Sequence, residues 1–342
     1  MMIIDYRSDT VTRPTAAMYQ AIVRASIGDD VFGEDASVNK LEETTSAYFG
    51  MEAGLYCPSG TMSNQLAIKV HTQPGDEVIC EENSHVYQYE AGGIAFHSSA
   101  SVCLLKGQRG LLLAEQINCN VNNRLDLHKA WSKLVCLENT TNRGGGACYD
   151  VEEINRIRQT CDKHDLRLHL DGARLWNAIV AKKENPIRYG QLFDTISVCF
   201  SKGLGAPMGS MLLGSRPLIE KARRYRKLFG GGMRQAGIMA AACQHAMDNH
   251  ISRLEEDHLK AKKIGETLSQ QDYVHALLPI ETNIIIFELA GVTAKSLVEM
   301  LHKKRILAYA IAPNKIRLVT HLDIDDNMVT YTCQVLEEIE MS

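Results

Sequence analysis

From residue 53 to residue 200 the chain alternates short apolar runs with polar stretches of helical spacing, a pattern that few folds accommodate. The runs "GLYC", "DEVIC", "SVCLL", "KLVCL", "LRLHL" and "TISVCF" are strand-length and bounded by turn residues. Between them stand "MSNQLAIKVH", "VYQYEAGGIA", "LDLHKAWS", "VEEINRIRQTCDKH" and "WNAIVAKK", which read as helices. The clearest covers 151–164, where Ile154, Ile157 and Cys161 recur at helical spacing behind Asp150 as N-cap. Strands alternating with helices predict an α/β fold with a doubly wound, mainly parallel sheet. Its ligand site should lie beyond the carboxyl ends of the strands.

After the small-residue stretch "QAGIMAAACQHAMDNH" the texture changes. A long polar helix, the strand "TNIIIFEL", the helix "AKSLVEMLHKK", the strands "LAYAIAP" and "KIRLVTH" and a last helix near 325–340 predict a smaller α+β domain. The expected division is an N-terminal arm over 1–45, a large domain over 46–250 and a small domain over 251–342. With 342 residues there is chain enough for two cores.

The strand-end rule picks out four places. "LRLHL" runs into Asp171-Gly172, "TISVCF" into Ser201-Lys202-Gly203, "GLYC" into Ser59-Gly60-Thr61, and "DEVIC" into a turn ending at His85. Each has an ordinary reading: a turn, a solvated lysine, a helix cap, a surface histidine. Together they offer a carboxylate for a protonated pyridine nitrogen and an amine for a Schiff base. They add an imidazole to stack on a ring and a helix N-terminus for a phosphate. Those are the parts needed to hold pyridoxal phosphate. Gly203, Gly205 and Gly209 roughly mimic a dinucleotide-binding G-x-G-x-x-G, with Glu220 downstream, but that motif must open a helix. Pro207 and the apolar "MGSMLLG" instead predict a hairpin that exposes Lys202.

A formal net charge of -4 gives no general attraction to nucleic acid or anionic lipid. The longest apolar runs, such as 284–287, are too short to span a bilayer, and the first twenty residues lack a signal-peptide core. Cys57, Cys80, Cys136 and Cys199 sit in or beside apolar segments and no C-x-x-C occurs, which predicts reduced thiols in a cytoplasmic protein and no cysteine metal site.

At the level of whole motifs the sequence resembles the L-threonine aldolase family, of the low-specificity or allo-threonine type. The blocks are "RSDTVTRP", "GDDVFGED", "SGTMSNQLA", "SHVYQYEAGG", "LENTTN", "HLDGARLWNA", "SKGLGAPMGS", "GGGMRQAG" and "RLVTHLD". The resemblance implies the aspartate-aminotransferase-like architecture of fold type I pyridoxal-phosphate enzymes. It implies cleavage of a β-hydroxy-α-amino acid, threonine or allo-threonine first, to glycine and an aldehyde. Lys202 would carry the cofactor, Asp171 would pair with its ring nitrogen, His85 would stack on it, and Gly60 and Thr61 would bind its phosphate. Ser8, Arg174 and Arg317 would grip the substrate carboxylate, and His128 would line the β-hydroxyl side. His85 and His128 would share work on the hydroxyl, with Glu90 as a partner. Lys227 and Arg234 would reach the phosphate of a neighbouring subunit, which implies a homo-oligomer, a dimer of dimers, with shared sites. The sequence departs from the family at Phe32, Ala36 and Thr141, where tyrosine, proline and histidine are common. On this scaffold a racemase, a β-eliminating lyase, an aminotransferase or a non-catalytic oligomer stand as alternatives.

Overall fold

A computed structural model describes residues 3–339. Its larger unit is built on seven strands: β1 (Ala53–Cys57), β2 (Asp76–Glu81), β3 (Ser101–Leu105), β4 (Trp131–Glu138), β5 (Arg167–Gly172), β6 (Thr195–Cys199) and β7 (Ser210–Gly214). They lie side by side in the order β1-β7-β6-β5-β4-β2-β3. β3, β2, β4, β5 and β6 pair in parallel, while β7 runs antiparallel to both β6 and β1. The central strands are buried on both faces: Leu168, Leu170, Ile196, Val198, Met211 and Leu213 have no exposed surface. Each such side chain contributes roughly 1.5–3 kcal/mol by leaving water.

The expected hairpin forms between β6 and β7, and its turn carries Lys202. Phe200 N–H donates to the Gly209 carbonyl at 3.0 Å, and Gly205 N–H to the Lys202 carbonyl at 2.8 Å. Gly209 has φ +119°, and a Cβ there would sit 2.7 Å from Cys243 Sγ, so the turn can close only around glycine.

Two expected helices differ. "LDLHKAWS" is not helical, and the helix before β4 is Ala114–Asn120 instead. Asn123 Oδ1 accepts from Leu125 N–H and Asp126 Oδ1 from His128 N–H, both at 3.0 Å, so side-chain turns take the donors a helix would use. "VYQYEAGGIA" breaks into His85–Gln88 and Gly93–Ser98 where Ala91 and Gly92 adopt positive φ.

The smaller unit is an antiparallel sheet of β8 (Val274–Leu277), β9 (Ile284–Leu289), β10 (Tyr309–Ala312) and β11 (Lys315–Val319), in the order β10-β11-β9-β8. The helices Leu254–Leu268, Ala294–Lys303 and Asp326–Glu338 close its core. The first 45 residues serve both units rather than lying over them as a separate arm. Ile4 and Tyr6 belong to the smaller core, whereas Met18, Val38 and Leu41 belong to the larger one. The helix Ala36–Phe49, capped by Asp35, runs across the expected boundary. No described helix is long and apolar enough to cross a membrane, and all ten cysteines are unpaired.

Candidate active site

The carboxyl ends of β1, β2, β5 and β6 surround a cavity of about 330 Å³ lined by Ser59, Gly60, Thr61, His85, Asp171 and Lys202, among others. A larger hollow of about 730 Å³ is lined by none of these. Ser59 caps the helix Gly60–His71 by accepting from Met62 N–H at 3.2 Å, which leaves the Gly60 and Thr61 N–H groups free toward an anion. Gly60 is required here, because a Cβ would come within 2.7 Å of Cys199 Sγ. Among the described residues Lys202 Nζ has no carboxylate partner, and its one polar contact there is Cys199 Sγ at 3.8 Å.

Asp171 is buried, accepting from Ala173 N–H at 3.0 Å and Asn64 Nδ2 at 2.9 Å. The same amide nitrogen donates to Glu90 Oε1 at 2.9 Å, and His85 Nδ1 donates to that oxygen at 3.1 Å. Burial works against a charged His85, but the hydrogen bond it donates to Glu90 and the charges of Asp171 and Glu90 prevail and raise its pKa. Glu138, at the end of β4, accepts from the His85 and Asn142 N–H groups at 2.6 and 2.7 Å; burial and nearby Asp171 push its carboxyl up to about 7. The ligand atoms of His85, Glu90 and Asp171 lie within 4.8 Å of one another, as a metal would need, but Asn64 already donates to both carboxylates.

The arginines expected to act as a pair differ sharply. Arg174 is buried and donates from Nε and Nη2 to Asp9, both at 2.8 Å. Burial would raise the Asp9 carboxyl, but the Arg174 guanidinium holds it well below the ordinary range. Among the described residues Arg317 has no carboxylate partner: Nη1 donates to Asn142 Oδ1 at 2.6 Å, Nη2 to the Arg7 carbonyl at 3.0 Å, and buried Nε has no partner. Burial and the nearby Arg174 charge pull its pKa down to about 10. Such a cation calls for an anion. Ser8 caps the short 3-10 helix Asp9–Val11 beside them, accepting from Thr10 N–H at 3.2 Å.

Of the expected site residues, Ser8, Glu90, Arg174 and Arg317 do not line the cavity itself, and His128, Lys227 and Arg234 lie apart from it on exposed surface. His128 is exposed on the loop before β4 with Asp126 at 3.1 Å, so within one chain it does not line the pocket. Lys227 is exposed at the end of the helix Arg216–Leu228, and Arg234 pairs with Asp29 at 2.8 Å. Arg223, on the same helix as Lys227, is half-buried on Glu42 at 2.6 Å. Phe32 is 72% exposed, and Thr141 Oγ1 donates to the Arg109 carbonyl at 2.9 Å. Asn64, Glu138 and Asp9 belong to the site and escaped the sequence reading. "SGTMSN", "LEN" and "RSD" carried all three, but only packing shows what they touch.

The donor set fits pyridoxal phosphate: a helix N-terminus for phosphate, a fixed carboxylate for a ring nitrogen, an imidazole and an uncommitted amine share one cavity. Residues 5–291 match the model of the beta-eliminating lyase family. The chain is 37% identical to low-specificity L-threonine aldolase 1 of Arabidopsis thaliana over 99% of this chain and 96% of that one. It is 38% identical to the low specificity L-threonine aldolase of Escherichia coli K12 over 94% of each. A solved threonine aldolase of Leishmania major superposes with a TM-score of 0.86 at 20% identity, covering 98% of both chains. The fold is accordingly the fold type I, aminotransferase-like architecture.

Proposed function

The chain belongs to the beta-eliminating lyase family, beside its low-specificity L-threonine aldolase relatives, and we propose that it cleaves L-threonine or L-allo-threonine to glycine and acetaldehyde with bound pyridoxal phosphate. The observation that carries this reading is Lys202, an amine without an acidic partner that shares its cavity with Asp171, His85 and a helix N-terminus. When bound, the cofactor supplies an electron sink for the pair released as Cα–Cβ breaks.

The residues of the chain supply the rest. Lys202 Nζ would hold the cofactor covalently, Gly60 and Thr61 N–H would take its phosphate, and Asp171 would hold the proton of its ring nitrogen. The partnerless Arg317 would grip the substrate carboxylate, with Ser8 and the remaining Nη1 of Arg174 beside it. A carboxylate held in this way fixes rotation about the substrate's N–Cα bond and so selects which bond at Cα breaks. His85 donates Nδ1–H to Glu90, which leaves Nε2 bare to take the β-hydroxyl proton.

This reading extends to assembly and compartment. A homo-oligomer, a dimer of dimers, would seat His128 and the phosphate-reaching Lys227 and Arg234 at a neighbour's cavity. In support, Leu125 and Leu127 beside His128 are 88% and 97% exposed, and Leu228 beside Lys227 is 70% exposed. Ten unpaired cysteines suit the cytoplasm.

The test is a product assay on L-threonine. Wild-type protein should release glycine and acetaldehyde in equal amounts, and Lys202→Ala should lose nearly all of both, together with the visible absorbance of lysine-bound cofactor. Release of 2-oxobutyrate and ammonia would assign β-elimination instead. Retention of absorbance and cleavage by Lys202→Ala would remove Lys202 from the mechanism.

A further inference from the structure

Strands covered on both faces are normally apolar throughout, yet β5 and β6 carry a buried polar stripe. His169 and Asp171 on β5 stand in register with Thr195 and Ser197 on β6, and all four are buried. The helix Gly60–His71 lies over them and brings Asn64 and His71, seven residues apart and so on one face.

These groups satisfy one another in a single chain of contacts. His71 Nε2 is 3.0 Å from Thr195 Oγ1, which is 2.9 Å from His169 Nδ1. That nitrogen also lies 3.1 Å from the Thr195 carbonyl. His169 Nε2 is 3.2 Å from Asn64 Oδ1, and Asn64 Nδ2 donates to Asp171 and Glu90.

The direction of each bond follows from the site end. Two carboxylate oxygens admit only donors, so the Asn64 amide must turn its NH₂ toward them and its oxygen toward His169. That oxygen can only accept, so His169 carries its proton on Nε2. Burial pulls the His169 pKa down to about 4 and keeps the ring neutral. The one proton of a neutral ring serves either Asn64 Oδ1 or the Thr195 carbonyl; with it on Nε2, Nδ1 accepts from the Thr195 hydroxyl, which in turn accepts from His71 Nε2–H.

We propose that His169 and Asn64 are positioning residues: the two carboxylates turn the Asn64 amide, His169 Nε2–H holds its oxygen from the far side, and the amide so held locks Asp171 and Glu90 under the strand-end cavity. Without the His169 donor the buried Asn64 oxygen loses its partner, and the amide that bridges the two carboxylates is held from one side only. The proposal rests on reading Asp171 as the partner of the cofactor's ring nitrogen.

Two measurements test it. In cofactor-free protein with ¹⁵N-labelled histidine, His169 is assigned by the signal that disappears in His169→Gln. The expected state is protonated Nε2 with bare Nδ1; protonated Nδ1 with bare Nε2 overturns the proposal. In the second, pyridoxal phosphate is titrated into wild type, His169→Leu and His169→Gln, and the pH midpoint of the bound cofactor's absorbance is followed. His169→Leu should bind about tenfold more weakly, the loss expected when a hydrogen-bonded charge is left badly paired, and its midpoint should move. His169→Gln can still donate to Asn64 and should restore both to near wild type. If the two variants have equal thermal midpoints without cofactor and equal losses of affinity, the hold on the amide does not matter and the proposal falls. Failure of the cofactor reading itself is distinguishable, since wild type would then bind no pyridoxal phosphate while the tautomer stayed readable.

Discussion

The strand-end interior and the exposed rim carry residues of equal standing in the sequence, and the fold treats them oppositely. In the interior Asp171, Glu90, Asn64 and Arg174 are each more than nine-tenths buried and tied to a named partner. On the rim, His128 and Lys227 are exposed, and Arg234 has one partner in Asp29. An interior residue is fixed by its own chain, so changing it should disturb stability and function together. A rim residue has at most one exposed or half-exposed partner in its own chain, so changing it should matter chiefly where a second chain approaches.

Arg174 and Arg317 give the largest effect and divide the interior itself. Arg174→Ala leaves Asp9 charged, buried and unpaired, which typically destabilises by about 3–5 kcal/mol. Arg317→Ala removes a cation that burial already disfavours, so stability should change little or rise. Its threonine KM should instead rise by one to two orders of magnitude, since a hydrogen bond to a charged group contributes about 1.5–3 kcal/mol. Urea unfolding and initial-rate kinetics on both variants decide the matter. A stable Arg174→Ala protein with a raised KM, beside an unchanged Arg317→Ala, would exchange the two roles.

The interior should also respond to acid in a way the rim does not. Burial pulls the pKa of His71, His169 and His258 down to about 3, 4 and 4. A base whose folded pKa lies below its unfolded value of about 6.5 binds protons more readily when unfolded. Its contribution is therefore complete above pH about 6.5 and is lost as pH falls through the folded value. For His169 alone this amounts to something on the order of 3 kcal/mol between pH 6.5 and 4. His169→Gln should flatten that loss in thermal unfolding measured at pH 7 and pH 4.5, while Arg234→Ala, whose side chain does not titrate there, should track wild type. An equally steep acid loss in His169→Gln would show that His169 is not held neutral by the fold.

The same contrast explains what could be read from the residues. Strands were legible because a strand buried on both faces is largely a continuous apolar run, as "LVCL" in β4 is, and the Lys202 hairpin because glycines closed it. The stretch 125–132 was not, since Asn123 and Asp126 capture backbone donors through side-chain bonds that composition alone does not reveal. Lys202, Asp171, His85 and Gly60 converge because each lies at the carboxyl end of a strand or within a few residues beyond it. Asp9 and Arg174 are 165 residues apart, and nothing local marks either as the other's partner. His169 is a polar residue inside an apolar run, which reads as an exception until Asn64 is seen above it.

The rim gives the smallest effect on one chain and the sharpest test of the comparison. Lys227→Ala/Arg234→Ala should fold normally, because neither side chain is buried, and should weaken cleavage at least about tenfold if both cations serve a phosphate. If they serve the partner's site, that loss can be repaired without restoring either residue. Co-folded Lys202→Ala and Lys227→Ala/Arg234→Ala chains form mixed dimers in which one site combines both defects and the other has neither. Activity per mixed dimer should then exceed that of the Lys227→Ala/Arg234→Ala parent, up to half of wild type. If each chain completes its own site, every site in the mixture carries one defect or the other, and no wild-type site can arise. Verified mixed dimers with no gain over the weakened parent would therefore place Lys227 and Arg234 with their own chain's cavity or with none. The exposed Leu125–His128 stretch would then need another occupant, because an interface that delivers no residue to a site gives no reason for His128 to stand in solvent.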